Sequence, residues 1–110
     1  MVKSKSIYTV SKVNEYIKDM FANEYFLSMV FVSGEVSNCK YHSSGHIYFT
    51  LKDKMSQISC VMFAGQRGGL SFSMKDGNQV IVGGSVRVYE RDGKYQLYAR
   101  QIEAAGEGAL

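Results

Sequence analysis

Two short stretches concentrate the side chains able to do chemistry. The first, YHSSGHIYFTLKD at 41–53, sets two imidazoles, His42 and His46, on either side of a Ser-Ser-Gly turn, with Tyr48 and Lys52 following at even spacing. The second, RVYERDGKYQLYAR at 87–100, interleaves Arg87, Arg91, Lys94 and Arg100 with Tyr89, Tyr95 and Tyr98. A Ser-His pair is formally available beside His42 and His46. Nothing in the sequence orients either ring, and groups so close along a turn rarely align as nucleophile and base. Cys39 and Cys60 lie far apart without a CxxC pair, which argues against zinc. GQRGG at 65–69 lacks the Lys-Ser/Thr of a phosphate loop. No carboxylate cluster suggests a two-metal nuclease centre, and no cofactor or metal is expected. The chemistry left is recognition. Cations track phosphates, and flat rings stack on unpaired bases for roughly 1–3 kcal/mol each.

The elements that must position these side chains can be read from the periodicity. Val10, Val13, Ile17, Met20 and Phe21 recur at helical spacing over 9–22, with Thr9 or Ser11 available as cap. The expectation is that this stripe packs against the rest of the domain. From Phe26 the period changes to two, giving a long first strand through FLSMVFVSGEVSNCKY, with a bend at Gly34. The opening stretch is the second strand and QISCVMF the third. AGQRGGLSFSMKDGN breaks the pattern and is too glycine-rich for more than a short helical turn. QVIVGGSVRVYE and YQLYARQIE, joined by a turn with Asp92-Gly93, are the fourth and fifth strands. One N-terminal helix followed by five short strands with mid-strand glycines predicts an all-β, five-stranded Greek-key barrel of the OB-fold type. The crossover falls between strands three and four.

Alternation then sorts the faces. Ile47, Phe49, Leu51, Ile58, Cys60, Met62, Val82, Val86, Val88, Leu97 and Ala99 fill the barrel. Ser59, Val61 and Phe63 point outward, with His46, Tyr48, Lys52, Arg87, Tyr89, Tyr98 and Arg100. Lys40, Tyr41 and His42 join them from one loop and Arg91, Lys94 and Tyr95 from another. OB barrels bind oligonucleotides on the face of strands two and three, between those two loops. The expected nucleic-acid-binding set is therefore Lys40, Tyr41, His42, His46, Tyr48, Phe63, Arg87, Tyr89, Arg91, Lys94, Tyr95 and Tyr98. Taken singly, each tyrosine is better explained as sheet decoration or packing and each cation as solvated surface. It is their shared placement that points to a strand of nucleic acid.

Composition is compatible with this and adds little. The 110 residues fit one domain, and 13 Lys and Arg against 10 Asp and Glu give a net charge of +3, a mild bias towards anionic partners. No apolar run approaches the ~20 residues of a membrane span. MVKSKSIYTV has lysines but no apolar signal core after them, so the reading is cytoplasmic, with no membrane partner.

The blocks YTVSKVNEYIKDMF, VSGEVSNCKYHSSGHIYFTLKD, ISCVMF, VYERDGKYQLY and the closing GEGAL together resemble the N-terminal domain of exodeoxyribonuclease VII large subunits. The resemblance implies an OB-fold domain that binds single-stranded DNA, at the front of a longer exonuclease subunit. That subunit would degrade single-stranded DNA to short oligonucleotides without a required divalent metal. It would act with copies of a small helical subunit, bound through a part outside this chain. It implies a DNA-binding role for Lys40, Tyr41, His46, Tyr48, Phe63, Arg87, Tyr89 and Arg91, and no catalytic residue within these 110. Residues 1–24 are then a helical segment packing on the barrel, 25–104 the barrel, and 105–110 the start of a linker to a catalytic region. GQRGGLSF departs from the family in carrying Arg67 as its one basic residue. Competing readings are an RNA-binding OB module, such as a tRNA synthetase anticodon-binding domain, and a barrel that binds protein partners through the helix stripe.

Overall fold

The computed structural model describes residues 5–105; the expected linker therefore falls almost wholly outside the described residues. Helix α1 spans Val10–Ala22 and a short α2 spans Tyr25–Ser28. Five strands follow: β1 Val30–Tyr41, β2 Ile47–Lys52, β3 Gln57–Met62, β4 Gln79–Tyr89 and β5 Lys94–Ala104. A 3-10 helix, Ala64–Gly69, lies between β3 and β4. The strands close in the order β1-β2-β3-β5-β4, antiparallel except where β5 runs parallel to β3. This is the expected Greek-key barrel. Val36, Ile47, Phe49, Leu51, Met62, Val82, Leu97 and Ile102 are among its buried core.

Strand β1 serves two neighbours. Its first half pairs with β4, its second with β2, and Glu35 pairs with both Gln79 and Lys52. The bend expected at Gly34 falls at that handover. A bulge follows. Ser37 faces Thr50 but Lys40 faces Tyr48, leaving one extra residue on β1. Asn38 absorbs it with φ 50, a left-handed conformation that asparagine tolerates. A second bulge lies on β5, where Gly83 faces Gln101 but Gly84 faces Ala99, so Arg100 is the extra residue. It shifts the alternation, and Ile102 rather than Gln101 turns inward.

The N-terminal region differs from expectation in two ways. The first strand does not begin at Phe26. Leu27 N–H bonds to Glu24 C=O and Ser28 Oγ donates to Tyr25 C=O, closing a helical turn before the sheet starts. Helix α1 forms where expected, with Thr9 Oγ1 accepting from Lys12 N–H at 3.1 Å. Most of its apolar stripe, however, stays exposed: Val10 is 77% and Met20 56% accessible, no α1 residue is fully buried, and only Phe21 packs against the core. The residues that touch the barrel are Asn14, Lys18 and Phe21. They lie at i, i+4 and i+7, so the docked side takes in only the Phe21 edge of the stripe.

Candidate nucleic-acid interface

One line of neighbouring residues crosses the outside of the barrel. Lys40 on β1 faces Tyr48 on β2, Tyr48 faces Val61 on β3, Val61 faces Tyr98 on β5, and Tyr98 faces Ser85 on β4. Facing partners put their side chains on the same side of a sheet. Val61 and Ser85 are nonetheless each only 2% accessible. Val61 is thus outward, as expected, but not exposed. It does point away from the barrel core cluster, but it is the floor of a platform walled by larger side chains.

Those walls are aromatic. His42 and Tyr48 meet edge-on with centroids 6.1 Å apart, as do His46 and Tyr48 at 6.3 Å and His46 and Phe63 at 5.1 Å. Phe63 stacks on Tyr98 at 5.6 Å with 22° between planes. The hydroxyl of Tyr98 accepts from Gln96 Nε2 at 2.8 Å, fixing the outer ring of the stack. Tyr48 and Phe63 remain 43% and 44% accessible, so ring faces are offered to solvent.

The turn before β2 holds the two imidazoles. Gly45 N–H bonds to His42 C=O at 2.9 Å, and Gly45 has φ 94, a conformation side chains resist. His42 Nδ1 accepts from Ser44 N–H at 3.0 Å, and Ser44 Oγ approaches the same nitrogen at 2.8 Å. His46 Nδ1 accepts from Ala64 N–H at 2.9 Å, clipping the turn to the 3-10 helix. With Nδ1 accepting in both rings, the neutral imidazoles carry their proton on Nε2. The Ser44–His42 contact is thus consumed in shaping the turn.

From Phe63 and Tyr98 the platform runs into a groove of about 560 Å³ towards the β4–β5 hairpin. Arg87, Tyr89, Arg91 and Arg100 line it on the barrel side, Gln66 on the 3-10 helix, and Lys18 and Ala22 on α1. Arg87 Nε donates to Ser85 Oγ at 3.3 Å. Lys18 Nζ lies 2.8 Å from Glu90 Oε1, and that hydrogen bond and ion pair raise the lysine's pKa. Glu90, the one acidic residue lining the groove, is thereby offset. Asn14 Nδ2 bonds to the Glu90 carbonyl at 3.0 Å and ties the hairpin to α1.

The structure thus gathers His42, His46, Tyr48, Phe63 and Tyr98 into one ring chain, with Lys40 beside it and Arg87, Tyr89 and Arg91 along its continuation. Three expected residues lie elsewhere. Beyond the Asn38 bulge, Tyr41 faces Ile47, on the core-facing side of β2, and its hydroxyl accepts from Met74 N–H at 2.7 Å. Tyr95 faces Val88, packs on Phe21 at 5.9 Å, and lines a separate depression with Val32 and Ile58. Lys94 is exposed at the hairpin base. Lys18 and Gln66 were not anticipated. Each belongs to an element whose approach to the groove has no local signature. Among the described residues no three His, Cys, Asp or Glu side chains cluster as metal ligands would, and no helix is long and apolar enough to cross a membrane.

A closed five-stranded barrel bearing an aromatic and cationic outer groove defines a nucleic-acid-binding module. Residues 8–103 match the OB-fold nucleic acid binding domain family, and the chain belongs to it. It is related to exodeoxyribonuclease 7 large subunits. It is 58% identical over 106 residues to that of Lachnoclostridium phytofermentans, covering 96% of this chain and 26% of the relative. It is 51% identical over 104 residues to that of Ruminiclostridium cellulolyticum, covering 94% and 26%. The chain thus spans about a quarter of the length of the curated relatives it matches. Among solved structures, a replication protein A heterotrimer bound to ssDNA shares the fold at TM-score 0.60 and 11% identity, over 74% of this chain and 60% of that one. Asparaginyl-tRNA synthetase from Pyrococcus horikoshii does so at 0.57 and 18%, over 74% and 20%.

Proposed function

We propose that this chain is the single-stranded-DNA-binding module of an exodeoxyribonuclease large subunit. It holds the strand while the remainder of the subunit, with a small-subunit partner, cuts it to short oligonucleotides. The observation that carries the reading is the continuous outer platform from Lys40 through Tyr48 and Phe63 to Tyr98, prolonged by Arg87, Arg91 and Arg100. Rings stack on unpaired bases whatever their sequence, and the cations beside them neutralise phosphates. A duplex keeps its bases paired and stacked and offers the rings nothing. The Nε2–H groups of His42 and His46 are donors suited to phosphate oxygens or base acceptors.

Titration of the chain with labelled single-stranded DNA, duplex DNA and single-stranded RNA at several salt concentrations tests this. The expected result is preference for single-stranded DNA, with log affinity falling against log salt by about 0.7 per neutralised phosphate. A folded protein that binds none of the three at low salt would refute it. Tight preference for RNA would move the assignment to a module that reads the 2′-hydroxyl.

A further inference from the structure

A second cavity, of about 380 Å³, lies beside the β1–β2 loop, lined by Tyr41, Arg67, Leu70, Ser71, Phe72 and Ser73. It shares no lining residue with the large groove, yet the two meet at the 3-10 helix. Gln66 lines the groove, and its neighbour Arg67 lines the small cavity. The loop between them is clipped from both sides, His46 by the N–H of Ala64 and Gly45 by Arg67.

Arg67 is held without being neutralised. Its Nη1 donates to Gly45 C=O at 3.0 Å. Its guanidinium carbon sits 5.3 Å from the centre of the Tyr41 ring. That ring is anchored by the Met74 N–H on its hydroxyl. Among the described residues the ion pairs are Lys12–Glu15 and Lys18–Glu90, so no carboxylate takes the charge of Arg67. A guanidinium carries five donors in a rigid fork, and one carbonyl uses one of them. The ring and the carbonyl fix its direction in advance, so a ligand need not order it. The cavity adds the hydroxyls of Ser71 and Ser73 and an open mouth. A fixed, charged fork beside hydroxyls suits a phosphate, which it can grip through two parallel hydrogen bonds.

We propose that Arg67, backed by Tyr41, binds a backbone phosphate of the DNA strand where it leaves the ring platform across the β1–β2 loop. The inference rests on the single-strand reading above and extends the path beyond the rings. It makes the glycine-rich start of the crossover, through Arg67, part of the interface. It also gives Tyr41 a role at the ligand other than stacking: it orients the cation.

Oligo-dT of graded length, from about 4 to 16 nucleotides, titrated against the unmodified protein, Arg67→Gln and Ser73→Asp tests this. Ser73 is exposed and makes no bond to Gly45, so Ser73→Asp brings negative charge into the cavity and leaves the loop clip intact. Thermal unfolding of both variants checks that they fold. The unmodified protein is expected to gain affinity once the oligonucleotide outgrows the platform. Both variants lose that gain, about tenfold at low salt, and their salt slope is shallower by about 0.7. The shortest oligonucleotides bind all three proteins alike. If both variants match the unmodified protein at every length and salt while Tyr48→Ala still loses binding, the phosphate corner is wrong and the platform stands. If the gain requires a 5′- or 3′-terminal phosphate, the corner holds strand ends and the backbone proposal is overturned. If the unmodified protein binds no oligonucleotide, the single-strand reading itself fails and this inference falls with it.

Discussion

Tyr48 and Tyr98 sit two strands apart on one row, and each presents a ring beside an imidazole or a phenyl group. Removing such a ring removes a stacking surface. Tyr48→Ala is expected to weaken single-stranded DNA binding by about 1–3 kcal/mol, roughly five- to 150-fold, in fluorescence anisotropy. Tyr95→Ala, off the platform and packed on Phe21, should leave affinity unchanged. An equal loss in both variants would show that the row is not the binding face. Period-two alternation made Tyr48, Arg87 and Tyr98 legible, since nothing disturbs their register. Tyr41 was grouped with the outward residues by its place at a loop; it instead ends β1, where the extra residue at Asn38 turns it to face Ile47, and a bulge held by one asparagine has no signature distinct from any other Asn in a strand. The thiols give a second test. Burial pushes Cys60 up to about 12, and burial also raises Cys39, which is only part-buried. In the unfolded chain a thiol ionises near ~8.5. The folded protein therefore keeps a proton on Cys60 that the unfolded chain loses. This stabilisation is complete below that value and declines as pH rises towards 12. A thiol reagent near pH 8 should modify Cys39 slowly and Cys60 only when denaturant unfolds the protein. Rapid labelling of both would contradict the burial described for Cys60.

At the scale of elements, the platform depends on how closely β4 and β5 approach. Gly84 lies against the backbone of Tyr98, and a Cβ there would overlap the Tyr98 carbonyl. Gly84→Ala must push the two strands apart next to a ring of the interface. Its expected cost exceeds the ~1 kcal/mol typical of a point mutation, measured by denaturant unfolding, and DNA affinity should fall along with it. Full stability in Gly84→Ala would mean that the strands are less closely apposed. The β2–β3 turn is held differently. Asp53 Oδ1 accepts the N–H groups of Met55 and Ser56, both at 2.8 Å, and these bonds lower the carboxyl's pKa. The bonds favour the ionised form, so their stabilisation is present above the ordinary carboxylate pKa and is lost as pH falls through the depressed one. Asp53→Ala should lower the unfolding midpoint at neutral pH, and the gap to the unmodified protein should close in acid. A gap that persists unchanged at low pH would show that the ionised form is not what matters. Strands were readable from alternation and turn residues. Helix α2 was not, since Tyr25–Ser28 is four residues long and its apolar content matches the strand that follows.

For the molecule as a whole, the barrel and α1 are unequal partners. The Cα radius of gyration is 16.7 Å and the long axis 61 Å, against ~13 Å for the radius of a compact domain of this length. The excess is the expected consequence of a helix that buries none of its residues and meets the barrel through Asn14, Lys18 and Phe21. A hydrophobic stripe at helical spacing predicts the helix, but not which side of it docks, and here Asn14 and Lys18 dock beside Phe21 while the rest of the stripe faces solvent. The core cluster is drawn from Val30 through Ile102, so folding of the barrel should not require α1. Deleting residues 1–19 keeps Phe21 and Leu27, which pack against that core. The shortened chain should unfold in one cooperative transition, with its midpoint lowered by only a few degrees. Its radius of gyration in small-angle scattering should drop towards ~13 Å. Losing Lys18 from the groove should cost less DNA affinity than Tyr48→Ala, because an exposed cation already paired with Glu90 offers a phosphate one screened contact while a ring offers a stacking surface. A shortened chain without a cooperative transition would show instead that α1 is integral to the barrel, and that its few contacts carry far more than their burial suggests.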